Sequence, residues 1–237
     1  MTRPHQAGRE IVVSFTSETR TRFKDRTLGD IAGSLPGATA VFRRSKLDFC
    51  CGGQVTLLEA ATAKGLSLAD LEAELEAIAA TSGPAPQPHT TENLIDLIET
   101  RYHAVHRREL PELVRLAKRV EAVHKGNPAV PQGLSDLLAR MLEELESHMQ
   151  KEEEILFPMM RRGGSAMIDE PIAMMMAEHE EHGAHLRALE AITNNFEPPA
   201  EACTTWRALY SGARKLADDL VEHIHTENNI LFPQFVA

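Results

Sequence analysis

The sequence predicts an all-α protein: a four-helix up-down bundle with a small helical domain before it. Three observations predict this. Strand signals are scarce outside "REIVVSF" at residues 9–15, while long stretches rich in Ala, Leu, Glu, Arg and Met fill the rest. Four long helical segments follow residue 90. Two of them end almost identically, "HMQKEEEILFP" at 148–158 and "HIHTENNILFP" at 223–233, an offset of 75 residues.

Taken in order, residues 1–24 read as an N-terminal extension. Residues 25–80 read as the small helical domain. In it, "TLGDIAGSLPGATAVFRRSKLDFCCGG" predicts two short helices and a Gly-ended turn. "SLADLEAELEAIAA" predicts a helix capped by Ser67, with apolar residues 68, 71, 75, 78 and 79 on one face. Residues 81–90, with three prolines, form a linker. Residues 91–237 hold the bundle. Its first helix spans 91–124, with Thr90 or Thr91 as cap and a kink or break expected at Pro111. The second spans 134–160, the third 172–195 and the fourth 205–235. At ~1.5 Å per residue these are long enough for a bundle. Helices three and four repeat helices one and two. His103-x-x-His106 in helix one is matched by His179-x-x-His182 in helix three.

Bulk composition narrows the function classes. The 237 residues are 43% hydrophobic, and no apolar run approaches the ~20 residues of a membrane span. "IVVSF" is shorter than the about 7–15 residues of a signal-peptide core. The expected setting is cytoplasmic. A net charge of −10 argues against a nucleic-acid partner. Three cysteines, two adjacent, make no disulfide framework and are expected as free thiols.

The eleven histidines direct attention to the bundle. Residues i and i+4 of a helix share a face, so His148 projects with Glu152, and His223 with Glu227. One such pair is a weak signal. Two in register with the same apolar tail imply that this face packs inward, where imidazole and carboxylate must be paired or metal-bound. One histidine from each of helices one and three completes four His and two Glu in a bundle core. Such cores house di-iron and di-manganese carboxylate centres. Nitrogen and oxygen donors without thiolate suit iron, manganese or zinc. If each of two metals took two His and both Glu bridged, each would have four protein donors. A bridging oxo or hydroxo group would be a fifth, leaving a position for O₂, NO or peroxide.

"RYHAVHR", "SHMQKEEEILFP", "AEHEEH" and "EHIHTENNILFP" resemble the hemerythrin-like domain of the repair-of-iron-centres family. These are bacterial di-iron proteins of iron–sulfur cluster recovery after nitrosative and oxidative stress. "LGDIAGSLPGATAVFRRSKLDFCCGG" is similar to that family's N-terminal domain, and the likeness covers roughly residues 25–237. The resemblance implies His103, His148, Glu152, His179, His223 and Glu227 as ligands of two non-haem irons, with the two Glu bridging. It implies iron donation to iron–sulfur client proteins, or handling of NO, at that centre. An NO reductase, a peroxide- or O₂-reducing enzyme and an O₂/NO sensor module are the alternatives, and a homodimer stays open.

Other residues carry separate expectations. Glu144 and Glu178 are candidates for tuning the site or relaying protons. Cys50 and Cys51 are candidates for metal or NO transfer, electron supply or thiol-based dimerisation, at a helix start that would favour the thiolate. His106 and His182 are open between ligand, supporting partner and surface residue. His185 and His225 are expected at the surface. His5, His89 and His124 are expected to have no role, Cys203 a structural one, and Met174–Met176 to pack in the core.

Overall fold

The computed structural model describes residues 23–81 and 90–236. The "REIVVSF" run, His5 and most of the proline-rich linker with His89 lie outside the described residues. Among the described residues there is no strand, only one antiparallel bridge between Thr27 and Thr56.

The small domain contains α1 (Leu28–Ser34), α2 (Ala38–Arg44), α3 (Leu57–Lys64) and α4 (Leu68–Thr81). Each start is dictated locally where a side chain caps it. Thr27 Oγ1 accepts from Asp30 N, and Ser67 Oγ accepts from Asp70 N at 3.3 Å. Helix α3, which the sequence reading lacks, carries a reciprocal cap between Thr56 and Glu59 and ends at Gly65 with φ of 65°. Leu28, Ile31, Phe42, Phe49, Leu57 and Leu75 form the core. On α4, Leu71 and Leu75 are buried while Ala79 is exposed, so the apolar stripe is narrower than its spacing suggests.

The bundle follows. Its first long helix is α5 (Thr91–Leu97), a π turn over Ile98–His103, and α6 (Ala104–Val123). Thr90 is the cap, its hydroxyl accepting from Asn93 N. No break occurs at Pro111; α6 runs through it. The departure from α geometry lies about two to four turns earlier and ends on His103. The second long helix is α7 (Leu134–Lys151), a π turn over Glu152–Leu156, and α8 (Phe157–Arg161). The third is α9 (Asp169–Ile192). The fourth is α10 (Thr204–Thr226), a π turn over Glu227–Leu231 and a 3₁₀ turn over Phe232–Gln234.

Helix α6 packs on α7 and α10, and α9 packs on the same two, which closes a ring of four. Gly212 of α10 lies so near α6 that a Cβ would meet Leu113 Cδ2 at 2.6 Å. One apolar cluster, including Leu110, Leu138, Trp206 and Leu220, fills one half of the bundle. A second, with Leu94, Ile98, Phe157, Leu231 and Phe232, fills the other. Each fully buried side chain of this size contributes about 1.5–3 kcal/mol. Of the methionine run only Met175 joins the core; Met174 and Met176 point outward. Three consecutive residues on a helix cannot share a face.

Candidate metal centre

Between the two apolar clusters the bundle buries six ionisable side chains. His103, His148, Glu152, His179, His223 and Glu227 are each 0–1% exposed. Each long helix contributes one histidine, and two of the three π turns contribute the carboxylates. Glu152 and Glu227 each open a π turn, and His103 closes one. Such wide turns recur at functional sites because they re-aim a side chain without ending the helix.

The apolar tail of the repeat explains itself here. Phe157 stacks on the His103 ring at 5.8 Å, and Phe232 on His179 at 6.0 Å. Leu156 and Leu231 are buried beside them. The two Ile-Leu-Phe-Pro copies therefore seal the polar cluster from one end.

The cluster divides into two halves that share both carboxylates. His103, Glu152, His223 and Glu227 offer ligand atoms within 4.8 Å of one another, as do His148, Glu152, His179 and Glu227. His103 Nε2 lies 3.1 Å from His223 Nε2, and His148 Nε2 lies 3.1 Å from His179 Nε2. The outer nitrogens decide the tautomers. His103 Nδ1 donates to Glu153 at 2.7 Å, His148 Nδ1 to Glu178 at 2.9 Å, and His179 Nδ1 to the Asn228 amide oxygen at 2.8 Å. In a neutral imidazole the other nitrogen then carries a lone pair, and on these three rings it points inward.

Inward lone pairs facing carboxylates want a cation. Both oxygens of Glu152 and Oε2 of Glu227 are buried without a hydrogen bond. Burial, and then Glu227 beside it, push the Glu152 carboxyl well above its usual range. Burial acts on Glu227 too, yet His223 and His179 hold it well below. Burial also drives His103 down to about 2. The protein groups by themselves thus favour one proton on the carboxylate pair; cations would let both ionise. The donor set fits metal ions and poorly fits a closed hydrogen-bond network.

A further layer orients these groups. Arg107 forks onto Glu153 at 2.7 and 3.1 Å, and Lys151 holds Glu178 at 2.5 Å. Glu178 is pulled down to about 2, chiefly by His148. Asn228 Nδ2 donates to the Cys50 carbonyl at 3.0 Å, so it ties His179 to the small domain. Glu153 and Asn228 escaped the sequence reading. The signal was present, because each directly follows a repeated glutamate. The duplication breaks at the fourth ring: Tyr102 stacks on His223 at 5.2 Å, and His223 Nδ1 has no hydrogen-bond partner among the described residues.

The remaining sequence candidates fall as follows. His106 and His182 are buried beside the cluster but outside both halves, with ring centroids 5.4 Å from His223 and 5.1 Å from His148. Burial lowers both to about 3. Glu178 touches His148, whereas Glu144 reaches His185 at 3.2 Å instead. His225 is not at the surface: it is 3% exposed, edge-on to Phe49 and bonded to Asn229 Nδ2 at 3.0 Å. His185 is partly buried. The small domain covers the bundle face on which His225 lies, and that helix-to-domain contact is invisible to periodicity. Cys50 and Cys51 are free thiols with sulfurs 3.7 Å apart. They sit in a turn ahead of α3, not at a helix start. The hydrogen bond to Cys51, then burial, raises the Cys50 thiol rather than lowering it. Cys51 Sγ donates to the His179 carbonyl at 3.4 Å. Cys203 is exposed at the start of α10, 3.3 Å from His124 Nε2.

Two family models divide the chain. Residues 94–235 match the hemerythrin HHE cation-binding domain, and residues 24–79 match a domain of unknown function, DUF542. Iron–sulfur cluster repair protein YtfE of Cronobacter sakazakii is 48% identical over 218 residues, 91% of this chain and 98% of its own. The protein of that name from Escherichia coli O157:H7 is 46% identical over the same shares, and that from Yersinia pseudotuberculosis is 46% identical over 220 residues, 90% and 97% of the two chains. This chain belongs to the iron–sulfur cluster repair family. Family membership and the hemerythrin match imply iron binding, and the two buried His/Glu halves are groups that could hold a metal ion. Among its described residues, no helix is long and apolar enough to cross a membrane.

Proposed function

We propose that the chain is a non-haem di-iron protein that repairs iron–sulfur clusters damaged by nitrosative or oxidative stress. His103 and His223 would hold one iron, His148 and His179 the other, with Glu152 and Glu227 bridging. The observation that carries the count is the sharing of both carboxylates between two histidine pairs. Bound irons would supply redox and ligand-exchange chemistry toward NO or O₂ and toward iron-deficient client proteins. The chain's own residues do the rest. Glu153, Glu178 and Asn228 hold imidazole protons on the outer nitrogens. Phe157 and Phe232 keep water from one side. Four protein donors per iron would leave positions for a small molecule or for an acceptor's ligands to take the iron.

The domains act together in this reading. The small domain, residues 25–80, presents Cys51 against the His179 backbone and docks on the bundle, residues 91–237, through Asn228 and Asn229. Its thiols would receive a client or exchange ligands with the centre, in the cytoplasm. Glu144, Glu178, Cys50 and Cys51 remain the candidates for proton or electron supply.

The test is metal analysis with Mössbauer spectroscopy on protein made in iron-replete cells. Two irons per chain with antiferromagnetic coupling are expected. One zinc or no metal would overturn the reading. Transfer of that iron to an apo-cluster acceptor under reducing conditions is expected for a donor. Steady turnover of NO with an electron donor, without iron loss, would instead favour a reductase at the same open positions.

A further inference from the structure

A cleft opens where the small domain meets the bundle. It encloses a cavity of about 680 Å³, within the range of small-molecule sites. Arg43, Arg44, Lys46 and Lys64 of the small domain and Arg187 and Arg214 of the bundle line it, against three carboxylates, Asp48, Glu190 and Asp218. The chain as a whole has 35 acidic and 25 basic residues, so the cleft inverts the sign of the molecule. Protein carboxylates answer four of these cations. Arg43 pairs with Glu222, Arg44 with Glu74, Lys46 with Glu190 at 3.9 Å and Arg214 with Glu197 at 3.2 Å. Among the described residues, Lys64 and Arg187 make no ion pair and no side-chain hydrogen bond.

The walls of the cleft are held in place from both sides. Lys46, Asn195 and Phe196 all line it, and all three have left-handed backbone, with φ of 53°, 57° and 63°. Asparagine tolerates that region, but lysine and phenylalanine enter it only where surrounding contacts hold them there. Arg214 does so from the bundle: its guanidinium lies over the Phe196 ring at 5.2 Å and donates to the Asn195 carbonyl at 2.9 Å. Lys46 donates to Asn195 Oδ1 across the domain boundary. Backbone strain of this kind gathers at ligand clamps. Leu47, Phe49 and Leu186 add an apolar lining. Arg187 also reaches the neighbourhood of the paired thiols: a Cβ on Gly183 would stand 3.4 Å from its Nη1 and 3.5 Å from Cys51 Sγ.

We propose that this cleft binds a small organic dicarboxylate, with one carboxylate on Arg187 and the other on Lys64. The two free cations come from different domains, one from α9 of the bundle and one from the end of α3. They therefore suit two anionic groups on an apolar spacer better than one compact anion. Charge-assisted bonds from guanidinium and ammonium hold the two ends, and the apolar lining takes the spacer. A ligand held in this way bridges the domains. It clasps the small domain on the bundle and restricts access to Cys51. The site depends neither on the metal count nor on the repair reading above.

Glutarate is the probe, titrated into the full chain in low-salt buffer and followed by calorimetry. A single saturable site per chain is expected. Lys64→Gln/Arg187→Gln should weaken binding by about tenfold or more, at unchanged urea midpoint. Lys118→Gln/Arg119→Gln removes the same charge from exposed positions of α6 and should leave the affinity as it was. No saturable heat, unchanged affinity in the cleft variant, or equal weakening in both variants overturns the site. Inorganic phosphate binding as tightly as glutarate would reduce the cleft to a charged surface and overturn the dicarboxylate. A hexaglutamate peptide binding far more tightly than glutarate would assign the cleft to an acidic protein segment, and overturns it too. Saturating glutarate should slow N-ethylmaleimide modification of the Cys50–Cys51 peptide, read by mass spectrometry, by about threefold or more. An unchanged rate overturns the clasp.

Discussion

His103 shows how one residue position is set from outside the centre. Its Nδ1 proton goes to Glu153, and Arg107 fixes Glu153 in turn. Glu153→Leu removes both contacts while leaving the inner six residues intact. Partners of this kind contribute about 10–100-fold in metal affinity. Competition with a graded series of iron chelators should show a loss in that range, with Glu153→Gln nearer wild type because its amide oxygen still accepts. Equal affinity in Glu153→Leu would remove Glu153 from the site. Glu152 makes the opposite case. Its buried oxygens find no hydrogen-bond partner among the described residues. Glu152→Gln relieves a desolvated carboxyl next to Glu227, so the apo protein should gain roughly 1–3 kcal/mol while iron binding is lost. Urea unfolding of apo and iron-loaded samples reads both, and a destabilised apo variant would refute the account.

At the scale of elements, the repeated helix end does two jobs with one sequence. The π turn aims a glutamate inward, and one turn later a phenylalanine covers a histidine from another helix. The second copy does a third job. Where the first has Glu153 and Glu154, it has Asn228 and Asn229, whose amides donate to the carbonyls of Cys50 and Phe49. The Cys-Cys-Gly-Gly turn is shaped for this. Asp48 Oδ1 accepts from Cys51 N and Gly52 N, which closes the turn. A Cβ on Gly53 would meet Asn229 Oδ1 at 2.5 Å and the Phe49 carbonyl at 2.7 Å. The side chain can yield, but the backbone cannot cheaply. Gly53→Ala should cost about 1–3 kcal/mol and loosen the small domain. A lower urea midpoint together with faster alkylation of Cys51 is the expected signature. An unchanged alkylation rate would mean that the turn does not govern docking.

For the whole molecule, Asp219 joins the first and fourth long helices. It accepts from Arg101 at 2.6 Å and from Lys215 at 2.8 Å, and is 7% exposed. Burial pushes its carboxyl up, but Arg101 and Lys215 together bring it below its ordinary value of 3.8. A depressed folded pKa stabilises the fold at pH above the unfolded value. That contribution is lost as pH falls through the folded value. Both cations are about half exposed, so screening discounts the pair to about 1 kcal/mol. Asp219→Asn should lose about that much at pH 7 and nearly nothing near pH ~2. Urea unfolding of metal-free protein at the two pH values measures it; an equal loss at both would point to packing instead of charge.

The helical class, the four-segment order, the duplication and the inward direction of two His/Glu pairs were legible in the sequence, because each is a matter of periodicity and local capping. The family resemblance rested on the same repeated strings and is matched by relatives across most of the chain. Tertiary structure alone decided what stands opposite each face. Glu153 meets a histidine 50 positions away, and Asn228 one 49 away. His225 turned inward because the small domain covers α10 there, and Cys50 became a buried thiol for the same reason. Pro111 sits within an unbroken helix, and the irregular turn falls instead where His103 must be aimed. A helix pattern fixes which side chains share a face; only the packing of distant helices chooses the partner across from them.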